Sequence, residues 1–288
     1  MYSRFFCWSI LQSYIFINAT ILNLIVRFKS FILKKETIKK IGVLTSGGDS
    51  PGMNAAIRAV VRACAYQEIK CLGVYRGYQG LIEGDFIELG PRSVKNIINK
   101  GGTFLKSARS TEFRTQEGRV EAIKQIREAE MDALIIIGGD GSFKGATLLA
   151  KEFDFPIIGI PGTIDNDIEG TDFTIGYDTA LNTVVEAIDK IRDTASSHNR
   201  LFLIEVMGRD AGDIALNAGI GAGAEEILIP EETLGRERLV EKLGASKRSG
   251  KSSSIVVIAE GDKVGKNIFD LADYINETLP EYDVRVTV

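Results

Sequence analysis

The sequence predicts an α/β fold, organised as two doubly wound, Rossmann-like domains with mainly parallel sheets. Three observations carry that prediction. An apolar run, a Gly-rich turn and a helix-spaced pattern occur in that order over 39–67 and again over 132–153. The apolar runs are continuous rather than alternating, as expected of strands covered on both faces. A second set of such runs follows a long helical stretch that begins near Asp178.

In chain order, Ile41–Leu44 reads as the first strand, and Ala56, Val60, Ala63 and Cys64 recur at helical spacing in the segment after it. "KCLGVYRGYQGL" reads as a second strand and turn, and Ala133–Ile137 as a third strand followed by a Gly turn and a helix. "FPIIGIPGTIDND" supplies a further buried strand. After the helix from Asp178 come "RLFLIEVMGRDAGDIALNAGI", "EEILIPEE" and "SSSIVVIAEG". A domain over 37–175 and a second over 176–288 follow from this division. Residues 1–36 read as an apolar extension. Within it, 5–26 carries no charge, and its length, about 22 residues, would reach across a bilayer. Polar residues such as Gln12, Asn18 and Asn23 dilute it, and it has no small-residue cleavage site. A membrane anchor and a segment that adds nothing to the fold are the two readings.

Composition narrows the chemistry. With 44% hydrophobic and 26% charged residues, the chain is an ordinary globular protein, and its net charge of −4 gives nucleic acid no basic footprint. Three cysteines, Cys7, Cys64 and Cys71, form neither a C-x-x-C pair nor an even framework, which suits a reducing, cytoplasmic setting. The single histidine, His198, excludes a multi-histidine metal centre and reads as a helix-end or packing residue. Catalysis must therefore run on carboxylates, cations and backbone amides.

In doubly wound sheets, ligands sit at the carboxyl ends of the strands. Those ends deliver Gly47, Gly48 and Asp49, then Gly138–Gly141, then Thr163, Asp165 and Asp167, and in the second half Met207, Gly208, Arg209, Glu260 and Gly261. Glycines allow backbone N–H groups close to phosphate oxygens, and a following helix start favours anions. "SGGDSPG" is neither a Walker loop nor G-x-G-x-x-G, and such a stretch alone is a tight strand-to-helix turn more often than a phosphate cradle. Glycines on both sides leave Asp140 unobstructed for a Mg²⁺ that keeps waters and bridges phosphates. Asp165 can accept the proton of an attacking hydroxyl, with Arg109 and Arg209 available to neutralise the transferred group. Asp167 reads mainly as a residue that shapes its loop by bonding backbone amides. The set fits phosphoryl transfer to an alcohol.

Seven stretches, "GVLTSGGDSPGMNAAIR", "GGTFLKSAR", "IIGGDGS", "PGTIDNDIEGTD", "SSHNR", "EVMGRDAGD" and "DVRVTV", together resemble the bacterial ATP-dependent 6-phosphofructokinases, near-continuously from Lys39 to Val288. The resemblance implies MgATP-dependent phosphorylation of fructose 6-phosphate at its 1-hydroxyl, the committed step of glycolysis. It implies that Gly48, Arg109, Ser110, Gly139, Asp140, Gly141 and Ser142 bind ATP, with Asp140 on Mg²⁺. Asp165 would be the base, with Thr163 and Asp167 beside it and Arg209 stabilising the transition state. Thr163, Ile164, Asp165, Met207, Gly208, Arg209 and Glu260 would hold the sugar. Arg200 and Arg285 would bind its 6-phosphate from a neighbouring subunit of a homotetramer. An effector, ADP or phosphoenolpyruvate, would lie between subunits at Arg58, Arg62, Arg192, Gly223, Glu225 and Lys251. Two further basic positions of that site hold Pro91 and Ser249 instead.

Pyrophosphate-using relatives carry Asp at position 141 and Lys at 162; glycine at both positions implies ATP as donor. Relatives also continue past "VRVTV" with a histidine and an arginine for the sugar phosphate, so the expectation is a chain that lacks the last part of the catalytic unit. The alternatives are an inactive or regulatory nucleotide-binding fragment, a pyrophosphate-dependent phosphofructokinase, and another GGDG kinase acting on NAD or a lipid.

Overall fold

The computed structural model describes residues 38–195, 200–232, 234–250, 254–265 and 267–288. His198, Lys251, Cys7 and the apolar segment 5–26 lie outside the described residues. From Lys40 to Val288 the chain clusters as one compact unit. No helix among the described residues is long and apolar enough to cross a membrane.

The first half is built on β1 (Lys40–Ser46), α1 (Met53–Tyr66), β2 (Lys70–Val74), α2 (Gly77–Glu83), β3 (Phe86–Leu89), α3 (Gln116–Glu128), β4 (Ala133–Gly138), α4 (Asp140–Phe153), β5 (Ile157–Thr163) and β6 (Ile175–Gly176). The sheet order is β3-β2-β1-β4-β5-β6. All pairs are parallel except β2–β3, which is antiparallel. The order reverses between β1 and β4, whose register ends with Ser46 opposite Gly138. Such a switch point opens a crevice at the carboxyl ends of the two strands, where ligands bind in open α/β sheets.

Helix α5 (Tyr177–Ala195) leads into the second half, with β7 (Arg200–Val206), α6 (Asp213–Gly221), β8 (Glu226–Leu228), α7 (Arg236–Arg248), β9 (Ser254–Ala259), α8 (Ile268–Thr278) and β10 (Asp283–Thr287). Its four strands are parallel in the order β10-β7-β9-β8. Each sheet has a core on both faces, so the expected α/β architecture with mainly parallel sheets is present.

Three local expectations change. "GYQGL" is not a turn but α2, closed by Gly84 in the left-handed region at φ 70°. Ala63 faces outward, because the buried stripe of α1 runs through Ile57, Val60, Val61 and Cys64 and leaves 63 on the far side. Strand β5 is not covered on both faces: Ile158 is 51% exposed. Its outer neighbour β6 pairs only with Gly162 and Thr163, leaving the start of the strand as an open edge.

Candidate active site

One cavity of about 870 Å³ lies at the carboxyl ends of β1, β4 and β5 and is completed from the second sheet by Met207, Arg209 and Glu260. Of the residues expected there, Gly48, Arg109, Ser110, Gly139, Asp140, Gly141, Ser142, Thr163, Ile164, Asp165 and Asp167 all line it. Gly208 stands beside the wall, with its N–H 3.0 Å from Glu260 Oε1.

The wall on the β4 side is set by close packing. A Cβ on Gly138 would lie 2.5 Å from the Ser46 carbonyl oxygen, so only glycine lets β4 pass β1 this closely. Gly139 is extended, and α4 begins at Asp140. The first N–H groups of a helix lack partners in its own ladder, so this end of α4 presents donors to the cavity. Asp140 is ion-paired to Lys144 Nζ at 2.6 Å, one turn along the same helix.

Arg119, which is buried, ties the Phe113–Arg114 segment of the lining to α4. It donates to the Phe113 and Arg114 carbonyls at 3.1 and 2.8 Å while pairing with Glu152 at 2.6 Å. That fixes the segment carrying Ser110, whose hydroxyl bonds Gln79 Oε1 at 2.9 Å.

The two acids of the "DND" loop differ. Asp165 is only 6% exposed, whereas Asp167 is on the surface. Between them Asn166 adopts the left-handed conformation at φ 56°, which asparagine tolerates. Its side-chain oxygen accepts from Thr174 N at 2.9 Å, so the loop is shaped by Asn166 and not by Asp167. Thr163 Oγ1 accepts from Asp165 N at 3.2 Å, and Thr174 Oγ1 donates to the Thr163 carbonyl at 2.6 Å.

Burial raises the Asp165 carboxyl above its ordinary value. The Arg209 guanidinium, with Nε 3.2 Å from Asp165 Oδ2, works against that rise, and the charges of Asp167 and Glu260 add to it. Arg209 is itself held at φ 52°, an uncommon backbone for a bulky residue. Glu260 Oε1 stabilises this turn by accepting from the N–H groups of Gly208 at 3.0 Å and Arg209 at 2.6 Å. A sequence reading finds Glu260 as a strand-end acid; its grip on the Arg209 turn is visible only in three dimensions.

Other expected residues lie elsewhere. Arg200 opens β7, at the end opposite the cavity, and shares the Asp283 carboxylate with Arg285 at 3.1 and 3.0 Å. Burial of Asp283 opposes ionisation, yet the two arginines hold its carboxyl below the usual range. The parallel register that sets Asp283 opposite Arg200 brings them together.

The positions expected to meet an effector fall in two groups. Arg58, bonded to the Val94 carbonyl at 2.8 Å, and exposed Arg62 are on α1. Arg192 Nη2 donates to the carbonyls of Ala222 and, at 2.9 Å, Gly223; nearby Glu225 accepts from Ile255 N at 2.6 Å.

Lys144 and Arg114 also line the cavity and were missed in the sequence. For Lys144 the signal was available in its i,i+4 spacing from Asp140; for Arg114 no local pattern exists.

The cavity thus brings together a helix start that suits phosphates and a buried carboxylate beside a guanidinium. The chain is 55% identical to the ATP-dependent 6-phosphofructokinase 2 of Bacteroides thetaiotaomicron over 252 residues, covering 88% of this chain and 77% of that protein. It is 55% identical over 253 residues to the ATP-dependent 6-phosphofructokinase of Brevibacillus brevis, covering 87% and 77%. The structure of phosphofructokinase from Saccharomyces cerevisiae superposes with a TM-score of 0.81 at 38% identity, covering 86% of this chain and 37% of that one. The Phosphofructokinase family profile matches residues 40–288, and the chain belongs to that family.

Proposed function

We propose that the chain transfers a phosphoryl group from ATP to the 1-hydroxyl of fructose 6-phosphate, giving fructose 1,6-bisphosphate and ADP. The observation that carries this reading is the buried Asp165 beside Arg209, lining the same cavity as the Asp140 helix start. Relatives 55% identical to the chain are ATP-dependent 6-phosphofructokinases.

Asp165, its carboxyl less acidic than usual, takes the proton of the attacking hydroxyl. Arg209 then turns toward the transferred group and offsets the charge on its oxygens. Thr163 and Asn166 fix the Asp165 loop, while Met207, Gly208 and Glu260 border the acceptor. Gly139 and Gly141 bring backbone donors to the donor phosphates at the start of α4, beside Ser142, whose own N–H donates to the Gly139 carbonyl at 3.0 Å, and Gly48, Arg109 and Ser110 line the nucleotide side.

The residues fit Mg²⁺. Asp140 is a half-exposed carboxylate between two glycines, the kind of single acid that holds Mg²⁺ together with waters and phosphates. Bound there, the ion would neutralise developing phosphate charge.

The remaining expectations belong to the same proposal. Arg200 and Arg285 would grip the 6-phosphate of a neighbouring subunit, which is consistent with their position away from the cavity of their own chain. A homotetramer with an ADP or phosphoenolpyruvate site at Arg58, Arg62, Arg192, Gly223, Glu225 and Lys251 goes with this, as does a cytoplasmic location. The domain division near 175 is supported by α5, which leaves one sheet and enters the other.

The test is a coupled assay with fructose 6-phosphate and either ATP or pyrophosphate. Turnover with ATP is the expected result; preference for pyrophosphate overturns the donor assignment.

A further inference from the structure

Lys144 stands on the wall that carries Asp140, Gly141 and Ser142, one helical turn inward from the start of α4. Its Nζ lies 2.6 Å from Asp140 Oδ2, and its side chain is 75% exposed. The Asp140 carboxylate raises the lysine's proton affinity first by hydrogen bonding and then by charge, and Asp167 adds to the attraction. Exposed i,i+4 pairs of this kind are weak, because solvent screens them and both side chains lose freedom. A lysine is also a compact charge on a four-carbon stem with three rotatable donors, so it can exchange one oxygen partner for another with little cost. The lysine thus occupies the one carboxylate that the donor site would use for a divalent cation, within reach of the helix start that faces the phosphates.

We propose that Lys144 is a nucleotide-positioning residue: it neutralises Asp140 in the ligand-free site and passes to a phosphate oxygen of the incoming nucleotide when a divalent cation takes the carboxylate. This rests on the assignment of the α4 wall as the ATP site. Two consequences follow from charge alone. Without Lys144, Asp140 is left uncompensated and repels metal-free nucleotide; with metal present, one cation is missing from the phosphate shell. Both weaken binding, the first more than the second.

The experiment is calorimetric titration of the full chain with ADP, in EDTA and in excess Mg²⁺, for the wild type, Lys144→Met and Lys144→Arg. The expected result for Lys144→Met is a Kd raised about three- to tenfold with Mg²⁺, and by more in EDTA. Lys144→Arg restores most of the loss, and the thermal melting midpoint of both variants stays at the wild-type value. In steady-state assays KM for ATP rises while KM for fructose 6-phosphate does not change. Wild-type-like or tighter ADP binding by Lys144→Met overturns the proposal and leaves Lys144 as a helix-surface partner of Asp140. A wild type that binds no ADP under either condition overturns the ATP-site assignment itself, and the proposal with it.

Discussion

Arg209 Nε sits 3.2 Å from Asp165 Oδ2, so a cation from the second sheet meets a buried carboxylate from the first. Burial raises the Asp165 carboxyl and Arg209 partly offsets the rise. Burial shifts the ionisation of this base upward, so the acidic limb of kcat/KM should lie higher than an exposed aspartate would give. Arg209→Ala removes the offset. It should move the limb further up and lower kcat by about 10²–10³-fold. Arg209 is 67% exposed, so the shift is reduced by solvent screening. A pH–rate profile of both proteins checks this; an unmoved limb would dissociate the two groups.

Asp165→Asn should lower kcat by about 10²–10⁴-fold while ADP and fructose 6-phosphate still bind. The same substitution should raise the melting midpoint at neutral pH. A carboxyl whose value is raised by folding is protonated more readily in the native state, so its contribution to stability falls as pH rises through the interval between unfolded and folded values. Asparagine has no such interval. The advantage of Asp165→Asn should vanish below about pH 4, where the aspartate is protonated in both states. Thermal melts across pH would show a constant difference if burial of the charge were not the cause.

The fold was legible because strands buried on both faces write themselves as apolar runs, as in Ser254–Ala259, where every residue is buried. The helix α2 was not, since Gly77 and Gly80 lower helix propensity and packing sets it, with Tyr78, Leu81 and Ile82 buried against Ala122, Ile123 and Ile126 of α3. Most of the cavity lining could be found from strand ends because the switch point of a doubly wound sheet gathers them. Contacts between distant segments leave no such trace. The two hydrogen bonds from Gly208 and Arg209 to Glu260 join residues about fifty positions apart, and no periodicity marks them.

Glu260 offers a way to separate positioning from substrate contact. Glu260→Ala frees the N–H groups of Gly208 and Arg209 from their shared acceptor and lets the strained Arg209 backbone relax. The expected result is a fall of about tenfold or more in kcat together with a higher KM for fructose 6-phosphate. Glu260→Gln keeps a side-chain oxygen for the two donors and should recover kcat in larger measure than KM. Equal losses in the two variants would place the role of Glu260 wholly in its charge.

Donor choice can be tested at two glycines that differ in their surroundings. A Cβ on Gly141 meets nothing within 4 Å, so Gly141→Asp should fold normally and place an acid in the cavity, raising KM for ATP by about tenfold or more. A Cβ on Gly162 lies 3.0 Å from Ile137 Cγ2 and 3.6 Å from Met53 Cε. Gly162→Lys should therefore lower the melting midpoint as well as ATP use, since its stem begins against the core. Parallel ATP kinetics and melting curves check both, and an unchanged KM for Gly141→Asp would remove the crowding argument.

The chain divides its tools unevenly between the two sheets. Asp140 and Asp165 follow neighbouring strands, β4 and β5, whose ladder fixes their spacing as rigidly as the teeth of a comb. Arg209 comes from the other sheet, at the end of β7. Any change in the width of the cleft leaves the base and the Asp140 wall in register and alters only the reach of what the second sheet supplies, Met207, Arg209 and Glu260. The aperture thus sets how the second sheet's side chains meet a base and a helix start whose mutual spacing it leaves alone.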